Sequence, residues 1–304
     1  AVVPAGDQEM KATIERATLL KGLSHVQSVV ERRNTIPILS NVLLRTGENG
    51  LQLKATDLDI EMSLNVAAEV SAPGTFTVEA ARLHDIVRKI AGGAQIIIEQ
   101  ADQDGQVVVK AGRSRFTLFT LPASDFPDIA QKGNFAHEIS LSGATFARLL
   151  AQLEFCISTE ETRYYLNGIY LHVVDVAGVP TLRGVATDGH RLGRADTNAA
   201  TGLDTGMPGI IIPRKAAGEL RRLCEASAEA SVALSISSAQ LRAEVGETLF
   251  ATKLIDGTFP DYARVIPSAN PHRLRFGIAD LNAALARVMV VVDDRSRAVR
   301  LAAR

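Results

Sequence analysis

A helical pattern that occurs three times along this chain governs how the chain can fold. The three stretches, in chain order, are ATLLKGLSHVQSVV from Ala17, ATFARLLAQLEFCI from Ala144 and ADLNAALARVMVVV from Ala279. In each stretch, large apolar residues recur at steps of four, three and four, which places them on one face of a helix. The second residue of each copy, Thr18, Thr145 or Asp280, is of a type that caps helix N-termini. Three matching helices predict a duplicated domain.

Other short motifs recur in the same order, which supports the duplication. Ala17 and Ala144 are 127 residues apart (144 − 17 = 127), and the A-T-D triplet at 55–57 returns at 186–188. The F-P-D triplet at 126–128 returns at 259–261. The offsets differ by only a few residues while the order is kept, as expected for a duplication with small loop changes. The third helix therefore begins a third copy.

Each copy is predicted to contain a strand, a helix, strands, a second helix and further strands. Helices are predicted over 18–30, 80–90, 145–157 and 214–224, and strands include 38–45 and 60–66. Short antiparallel strands with one apolar face predict an α+β fold, in which two helices cover the sheet of each copy. The predicted domains are 10–130, 137–266 and the start of an incomplete third domain at 272–304. Residues 1–9 match no part of the repeat and are interpreted as an N-terminal extension left by cloning.

Composition and motifs exclude several classes of protein. The net charge is −1 and the pI about 6.7, so the chain is not a polycation that coats nucleic acid. No apolar run is long enough to cross a bilayer, and two cysteines in 304 residues favour a reducing cytoplasm, with both thiols buried. The chain contains no Walker loop, no G-x-G-x-x-G after a strand and no C-x-x-C, so we expect no cofactor and no metal.

Two groups of polar residues suggest chemistry without completing a catalytic site. The carboxylate pair Asp57 and Asp59 could hold a metal, but its counterpart in the second copy is Asp188-Gly189-His190. An aspartate that bonds its own turn explains both copies. Asp188 and His190 could also form an acid–base pair in a hydrolase or transferase, but no nucleophile motif accompanies them. A non-catalytic protein is therefore predicted, with the hydrolase as an alternative.

Arginine and tyrosine residues outside the predicted core suggest a nucleic-acid surface. Arg163-Tyr164-Tyr165 follows an acidic turn, and such rings can stack on bases or sugars while the arginine holds a phosphate. The alternative is a strand start with one tyrosine in the core. Cations also lie on the outer faces of the predicted helices: Lys21, Arg82, Arg88, Lys89, Arg148, Arg214, Lys215, Arg221 and Arg222. These charges would attract DNA only if the repeat turned them toward one common centre.

Eight motifs together resemble one family. They are RRNTIPILSN (32–41), ATDLD (55–59), GRSRFTL (112–118), LPASDFPD (121–128), RYYLNG (163–168), ATDGHRL (186–192), PRK (213–215) and FPDY (259–262). In this combination they closely resemble the beta subunit of bacterial DNA polymerase III, the sliding-clamp family. The resemblance runs from Met10 to about Leu301. It implies tandem DNA-clamp domains that form a ring-shaped head-to-tail homodimer around double-stranded DNA, with helices lining the hole. It also implies a cytoplasmic, non-catalytic processivity factor, grouped with its holoenzyme's nucleotidyltransferase activity.

The resemblance also implies three sets of site residues. The DNA-binding candidates are Arg33, Arg82, Arg88, Arg163, Tyr164, Tyr165, Arg214 and Lys215. A hydrophobic pocket for peptides of the polymerase alpha subunit, the clamp loader and repair proteins is expected at Leu166, Thr187, Gly189, His190, Arg191, Leu192, Pro260, Arg264 and Val265. The dimer interface is expected at Phe116, Leu118, Val290 and Val291. The sequence departs from the family at its end, where only the start of a third domain is present. A protein-binding repeat scaffold that does not encircle DNA is the alternative function.

Overall fold

The structure is a computed structural model that describes residues 10–31, 35–47, 50–101, 105–129, 134–292 and 298–302. The chain divides into two compact units, Ala1–Phe259 and Pro260–Arg304. The strands and α-helices of the first two copies all lie in the first unit. In the part of the chain that is described, no helix combines the length and apolar character that crossing a lipid bilayer requires.

The first copy has nine strands and two helices within the described residues. They are β1 (Lys11–Glu15), α1 (Arg16–Gln27), β2 (Asn41–Gly47), β3 (Gly50–Thr56), β4 (Ile60–Val66), β5 (Glu69–Ala72), β6 (Thr75–Glu79), α2 (Ala80–Lys89), β7 (Gln95–Gln100), β8 (Gln106–Ala111) and β9 (Ser114–Phe119). The antiparallel pairing of these strands and the two helices confirm the predicted α+β class.

The second copy repeats this order with one strand fewer. Its elements are β10 (His137–Ser142), α3 (Gly143–Glu154), β11 (Gly168–Val176), β12 (Val179–Thr187), β13 (Leu192–Thr197), β14 (Ile210–Pro213), α4 (Arg214–Ala226), β15 (Ser231–Ile236), β16 (Gln240–Val245) and β17 (Thr248–Lys253). The extra strand of the first copy is β5, a short edge strand that the sequence analysis missed. The second unit contains the helix α5 (Ile278–Met289).

The strands form three antiparallel sheets, one of which is shared by the two copies. The sheet orders are β5-β1-β7-β8-β9, β13-β12-β11-β14 and β10-β15-β16-β17-β4-β3-β2-β6. The eight-stranded sheet is continuous because β17 of the second copy pairs with β4 of the first, from Thr248↔Leu64 to Thr252↔Ile60. The junction between the copies is thus a ladder of backbone hydrogen bonds rather than a contact between side chains alone.

Four helices lie in one row across the two copies. Helix α1 packs on α2, and α3 packs on α4. Between these pairs, residues of α1 such as His25 and residues of α4 such as Leu223 line the same small hollow. The apolar stripes predicted for α1 and α3 face the core, as shown by the burial of Leu23 and Leu150. The same stripe of α5 has no buried residue.

The helix caps were predicted at the wrong positions. The side chain of Glu15 caps α1 by accepting the Thr18 amide at 2.8 Å, and Ser142 caps α3 by accepting the Thr145 amide at 3.2 Å. Thr18 and Thr145 therefore lie in the first turn, because each apolar stripe begins inside the helix and not directly after the cap. Asp280 is likewise in the first turn of α5, whose N-cap is Gly277.

The boundaries of three predicted elements also differ from the structure. The strand predicted over 38–45 begins only at Asn41, because Pro37–Ser40 forms a turn of 3₁₀ helix. Proline favours the first helical position, where its fixed φ is already suitable. Helix α1 ends at Gln27, before Val30. The predicted helix at 214–224 extends to Ala226, and strand β4 matches its predicted range of 60–66.

Both F-P-D motifs fix the chain where a copy ends. Phe259 stacks on Tyr170 with ring centroids 4.9 Å apart, and Tyr170 stacks on His172 at 4.5 Å. Burial lowers the pKa of His172 to about 4, so this stacked imidazole is neutral near pH 7. In the first motif, Asp128 forms an ion pair with Lys54 of β3 at 3.0 Å. The repeated triplet thus anchors each connection to the sheet behind it.

Both cysteines are buried and free, as predicted. Cys156 follows α3 and Cys224 lies in α4, and neither thiol forms a disulfide. Burial raises the pKa of Cys224 to about 12, so its thiol stays protonated and unreactive near neutral pH. These residues act as small apolar core side chains.

Candidate nucleic-acid and peptide interface

The Arg163-Tyr164-Tyr165 segment lies in a 3₁₀ helix, Glu161–Leu166, that follows α3. Tyr164 is 54% exposed, whereas Tyr165 is half-buried. The two rings meet edge to face, with centroids 5.7 Å apart. Arg163 is exposed and forms an ion pair with Glu160 at 3.4 Å. The segment therefore presents an aromatic face and a cation to solvent, and it forms a 3₁₀ helix instead of the strand start of the alternative prediction.

The other predicted DNA-binding arginines are exposed on helices. Arg82 pairs with Glu79, the residue before α2, at 3.1 Å, and Arg88 pairs with Asp85 within α2 at 3.0 Å. Exposed pairs of this kind contribute only about 0–1 kcal/mol, so a phosphate can compete for these guanidinium groups. Arg214 is exposed at the start of α4. Arg33 lies outside the described residues.

Lys215 has a different environment from the other candidate cations. Its Nζ donates to Asp57 Oδ2 at 2.5 Å, to Glu31 Oε1 at 3.1 Å and to the Val29 carbonyl at 3.3 Å. Partial burial alone would lower the pKa of Lys215, but the bonds to Asp57 and Glu31 outweigh it and the pKa is raised. Lys215 belongs to α4 of the second copy, and all three partners belong to the first. It therefore joins the two copies, and a phosphate would have to displace two carboxylates to reach it.

The turn that receives Lys215 also receives a second lysine of the second copy. Asp57 Oδ1 accepts the amides of Asp59 and Ile60 at 2.9 and 2.6 Å, which confirms that Asp57 bonds its own turn. Lys253 of β17 forms an ion pair with Asp59 at 3.2 Å. We call Asp57, Asp59, Lys215 and Lys253 the junction clasp. Among the described residues, no three His, Cys, Asp or Glu side chains come together as metal ligands.

Removing the cation of the junction clasp should weaken the folded protein measurably. We expect Lys215→Met to lose about 1 kcal/mol of unfolding free energy, because Asp57 is nearly buried while Lys215 is partly screened by solvent. The pKa of Lys215 is raised in the folded protein, so the stability that this lysine contributes is fully present at pH values below 10.5, its pKa in the unfolded chain. The stability lost in Lys215→Met should therefore stay constant over roughly pH 6 to 9. Urea unfolding measures it. Lys253→Met is the matched control, because both groups of its pair are exposed. Equal losses in the two variants would contradict this assignment.

The peptide-pocket candidates of the first unit surround the turn that follows β12. Asp188 Oδ1 accepts the amides of His190 and Arg191 at 2.9 and 3.0 Å, and the Thr187 hydroxyl donates to the Arg191 carbonyl at 2.8 Å. Gly189 has a φ of +86°, a left-handed conformation that favours glycine. Leu192 is half-buried, and Leu166 is buried at the end of the neighbouring 3₁₀ helix.

The charges of this turn do not suit acid–base catalysis. The amides of Arg191 and His190, together with the Arg191 guanidinium, hold the pKa of Asp188 well below its usual range. Both carboxylate oxygens of Asp188 are occupied, since Oδ2 accepts Arg191 Nε at 2.8 Å. A permanently ionised and fully bonded carboxylate cannot act as a general base near pH 7. Because Asp188 bonds the backbone of its own turn and Arg191, the geometry does not favour the hydrolase alternative based on Asp188 and His190.

The remaining pocket candidates belong to the second unit. Pro260 is exposed at its start, and Arg264 pairs with Asp261 at 2.9 Å. Val265 is exposed at the end of a 3₁₀ helix, Tyr262–Val265. An exposed arginine and an exposed apolar side chain are thus present in this unit as predicted residue types.

The dimer-interface candidates differ in exposure. β9 is the end strand of its sheet, where Leu118 faces the core and Phe116 is half-buried. The exposed aromatic of this strand is Phe119, at 78%, which the sequence analysis missed. A hollow of about 750 Å³ lies between α2 and the β8–β9 hairpin; it is lined by residues that include Ile86, Ile90, Ala111 and Phe116. Val290 and Val291, after α5, are each 83% exposed.

The sequence did not reveal three further residues, Phe155, Lys253 and Glu61, because their roles depend on contacts with residues far away in the chain. Phe155, after α3, is 63% exposed and lies beneath the Arg191 guanidinium, with Cζ 5.9 Å from the ring centroid. Lys253 reads in the sequence as an ordinary strand residue. Glu61 reads as a solvent-facing residue of β4, yet it is 1% exposed and pairs with Lys54 at 2.8 Å. An exposed aromatic directly after a helix was the one available signal.

Comparison with known proteins agrees with this geometry. Residues 10–130 match the N-terminal domain of the DNA polymerase III beta subunit, and residues 140–261 match its central domain. The beta sliding clamp of Caulobacter vibrioides is 47% identical over 293 residues, which cover 96% of this chain and 78% of that protein. The Proteus mirabilis beta sliding clamp is 41% identical over 297 residues, covering 96% and 77% of the two chains.

A solved structure shows the same fold. The sliding clamp of Bartonella birtlesii, crystallised with griselimycin, is 44% identical and superposes with a TM-score of 0.89 over 95% of this chain and 76% of that one. The family models match more than half of the chain, and the relatives are matched over most of their length. The chain belongs to the family of the DNA polymerase III beta subunit, the bacterial beta sliding clamp.

Proposed function

We propose that this sliding clamp encircles double-stranded DNA as a head-to-tail homodimer in the bacterial cytoplasm. In that form it tethers the DNA polymerase III alpha subunit, the clamp loader and repair proteins. The observation that carries the proposal is the continuous row α2-α1-α4-α3, which spans two copies joined by one sheet. Exposed cations occur on this row, among them Arg82, Arg88, Arg148 and Arg214. A curved row of such helices can surround a duplex without reading its bases.

The clamp is a non-catalytic processivity factor of DNA polymerase III. Processivity requires attraction to phosphates without base recognition, because base contacts would hold the clamp at one sequence. We assign this attraction to Arg82, Arg88, Arg163 and Arg214, whose carboxylate partners, where present, are weakly held. Tyr164 and Tyr165 add a ring surface for sugars or bases. Lys215 is occupied by Asp57 and Glu31 and contributes through the junction clasp.

For the homodimer, we propose that the second copy of the chain binds at β9. The end strand has unpaired backbone groups on its outer side, and the adjoining hollow is partly apolar. The exposed Val290 and Val291 of one protomer fit such a surface on its partner in both size and polarity. Phe119 extends the same surface, whereas Leu118 supports it from the core. The net charge near zero leaves little long-range repulsion between protomers.

For the peptide site, we propose a surface built on Leu166, Thr187, Gly189, His190, Arg191 and Leu192. It combines apolar side chains with an exposed arginine at the rim, a combination that suits short peptides with hydrophobic anchors. The clamps of Bartonella birtlesii and Pseudomonas aeruginosa were crystallised bound to griselimycin, and we propose that this protein binds it as well. Pro260, Arg264 and Val265 belong to the second unit and stay predictions.

Retention on circular DNA tests the encirclement. After loading by its clamp loader and ATP, the protein should remain on a nicked plasmid during gel filtration in about 0.5 M salt, since a closed ring does not depend on phosphate contacts. Cutting the plasmid once should release nearly all of it. The double variant Arg163→Ala/Tyr164→Ala should load more slowly but show the same dependence on DNA topology. Equal retention on circular and linear DNA, or none on either, would instead favour the protein-binding scaffold.

A further inference from the structure

The two copies of one turn differ in where their aspartate obtains its cation. In both copies, Asp57 or Asp188 uses Oδ1 to accept two amides of its own turn. In both copies, Oδ2 accepts a hydrogen bond from a cationic side chain. The first copy takes Lys215 from the second copy, across the junction. The second copy takes Arg191 of the same turn, where the first copy has Ile60. The carboxylate of the second turn is thus neutralised by an arginine of the same turn.

Arg191 is held on two sides by groups of the second copy. Its Nε donates to Asp188 Oδ2 at 2.8 Å, and its Cζ lies 5.9 Å from the centroid of the Phe155 ring, within range of a cation–π interaction. The side chain nevertheless remains mostly exposed. Within the described part of the chain, Nε gives the only hydrogen bond of this guanidinium. Its two terminal nitrogens are therefore oriented and available to a ligand.

We propose that Asp188 and Phe155 are positioning residues that orient the Arg191 guanidinium toward a carbonyl or carboxylate oxygen of the bound peptide. The proposal rests on the proposed peptide site and adds two residues that act on it only through Arg191. A guanidinium fixed before binding loses little conformational entropy when it donates to such an acceptor. The partner is therefore a peptide with an oxygen acceptor close to its hydrophobic anchors.

The exposed Phe155 ring lies beneath the Arg191 guanidinium and helps to fix its position. The Arg191 guanidinium covers part of the exposed face of this ring, within the distance of a cation–π interaction. Phe155 follows α3 directly and Arg191 precedes β13, so two rigid elements set their separation. A site built in this way should resist rotation of the guanidinium when the peptide leaves.

Fluorescence anisotropy of a labelled peptide tests the proposal. The probe is the clamp-binding segment of the DNA polymerase III alpha subunit, titrated with the full 304-residue chain. We expect Arg191→Ala to weaken binding about tenfold, the scale of a charge-assisted hydrogen bond. Asp188→Asn keeps the acceptor for the turn amides but loses the ion pair, and it should weaken binding about threefold to fivefold. Phe155→Ala should weaken it by a similar factor.

The decisive measurement is the double-mutant cycle. If Asp188 and Phe155 act through Arg191, Asp188→Asn and Phe155→Ala should cause no further loss in the Arg191→Ala background. Phe155→Tyr should restore binding, because it keeps the ring, whereas Phe155→Leu should not. Val176→Ala, which trims an exposed side chain on the β11–β12 hairpin, is the control and should bind as the unmodified chain does. Thermal melting verifies that each variant is folded.

The outcomes separate this proposal from the peptide site itself. Additive losses in the cycle, or full affinity in Asp188→Asn and Phe155→Ala, would overturn the positioning roles while leaving the peptide site in place. No binding by the unmodified chain would overturn both. The source of the acceptor follows from salt: a carboxylate should make the Arg191 contribution fall between about 0.05 and 0.5 M salt, and a backbone carbonyl should leave it nearly constant.

Discussion

Lys54→Met should lower the free energy of unfolding by about 3 to 5 kcal/mol, the cost of removing one partner of a buried ion pair. Lys54 lies 2.8 Å from Glu61 and 3.0 Å from Asp128, and its side chain is largely buried. Glu61 is more deeply buried still, and its other oxygen accepts the Ile129 amide at 2.9 Å. Without Lys54, two neighbouring carboxylates would face each other, one of them inside the protein. The connection between the two copies would lose the anchor that fixes it to β3 and β4.

Neutralising Glu61, the buried partner of Lys54, provides the control for this effect. In Lys54→Met/Glu61→Gln, the amide oxygen can still accept the Ile129 amide, but no buried charge remains. Urea unfolding of the double variant should recover most of the loss, because the penalty comes from the unpaired charge. Lys110→Met, which removes a half-exposed lysine that pairs with Glu99, should change stability by only about 1 kcal/mol. A double variant as unstable as Lys54→Met would show that the lysine chain packs the core in its own right.

Phe250→Ala should destabilise the protein by about 3 to 5 kcal/mol as well, here through a cavity. Phe250 is fully buried in β17, the strand that joins the copies, and it is paired with Met62 of β4. Truncation removes apolar contacts at the position where the two copies share one sheet. We therefore expect exchange of the β4 and β17 amides to accelerate more than that of β11 and β12, as measured by hydrogen exchange of the folded protein.

Two variants define what that result means. Phe250→Leu fills much of the cavity and should lose less than half as much stability. Phe119→Ala removes the same side chain from an exposed position and should change stability by no more than about 0.5 kcal/mol. Uniform acceleration of exchange across the first unit would contradict a local role at the junction.

The fold could be predicted largely because it is duplicated. A single amphipathic helix would have been uninformative, but its recurrence with A-T-D and F-P-D predicted a domain size and the order of elements, and the structure shows that order. Helix ends were less predictable, because Thr18 and Thr145 are good capping residues by type, whereas Glu15 and Ser142 make the bonds. Which of several suitable side chains caps a helix depends on how the preceding strand enters it.

The candidate site was predictable by residue type more than by contact. Arg191 and Tyr164 are exposed, and Asp57 bonds its own turn as its counterpart Asp188 does. Lys215 could not be separated from the other helix cations, because its partners Glu31 and Asp57 are more than 150 residues away in the chain. Phe155 was missed for the same reason. Contacts between elements distant in sequence leave no periodic signal.

The strand ladder at the β4–β17 junction has a geometric consequence for assembly. In the repeat, β9 corresponds to β17, and β13 corresponds to β4. β17 and β4 pair with each other at the junction, whereas β9 and β13 each lie at the end of a sheet. The first unit therefore has one end strand of the β17 type and one of the β4 type. A molecule with two different, complementary ends assembles head to tail. The rotation between neighbouring copies then decides whether the assembly closes into a ring or continues as a filament. A small change in the twist between two strands at such a joint would therefore convert a closed annulus into an open helix. The twist of the sheet at its joints thus determines which of the two assemblies forms.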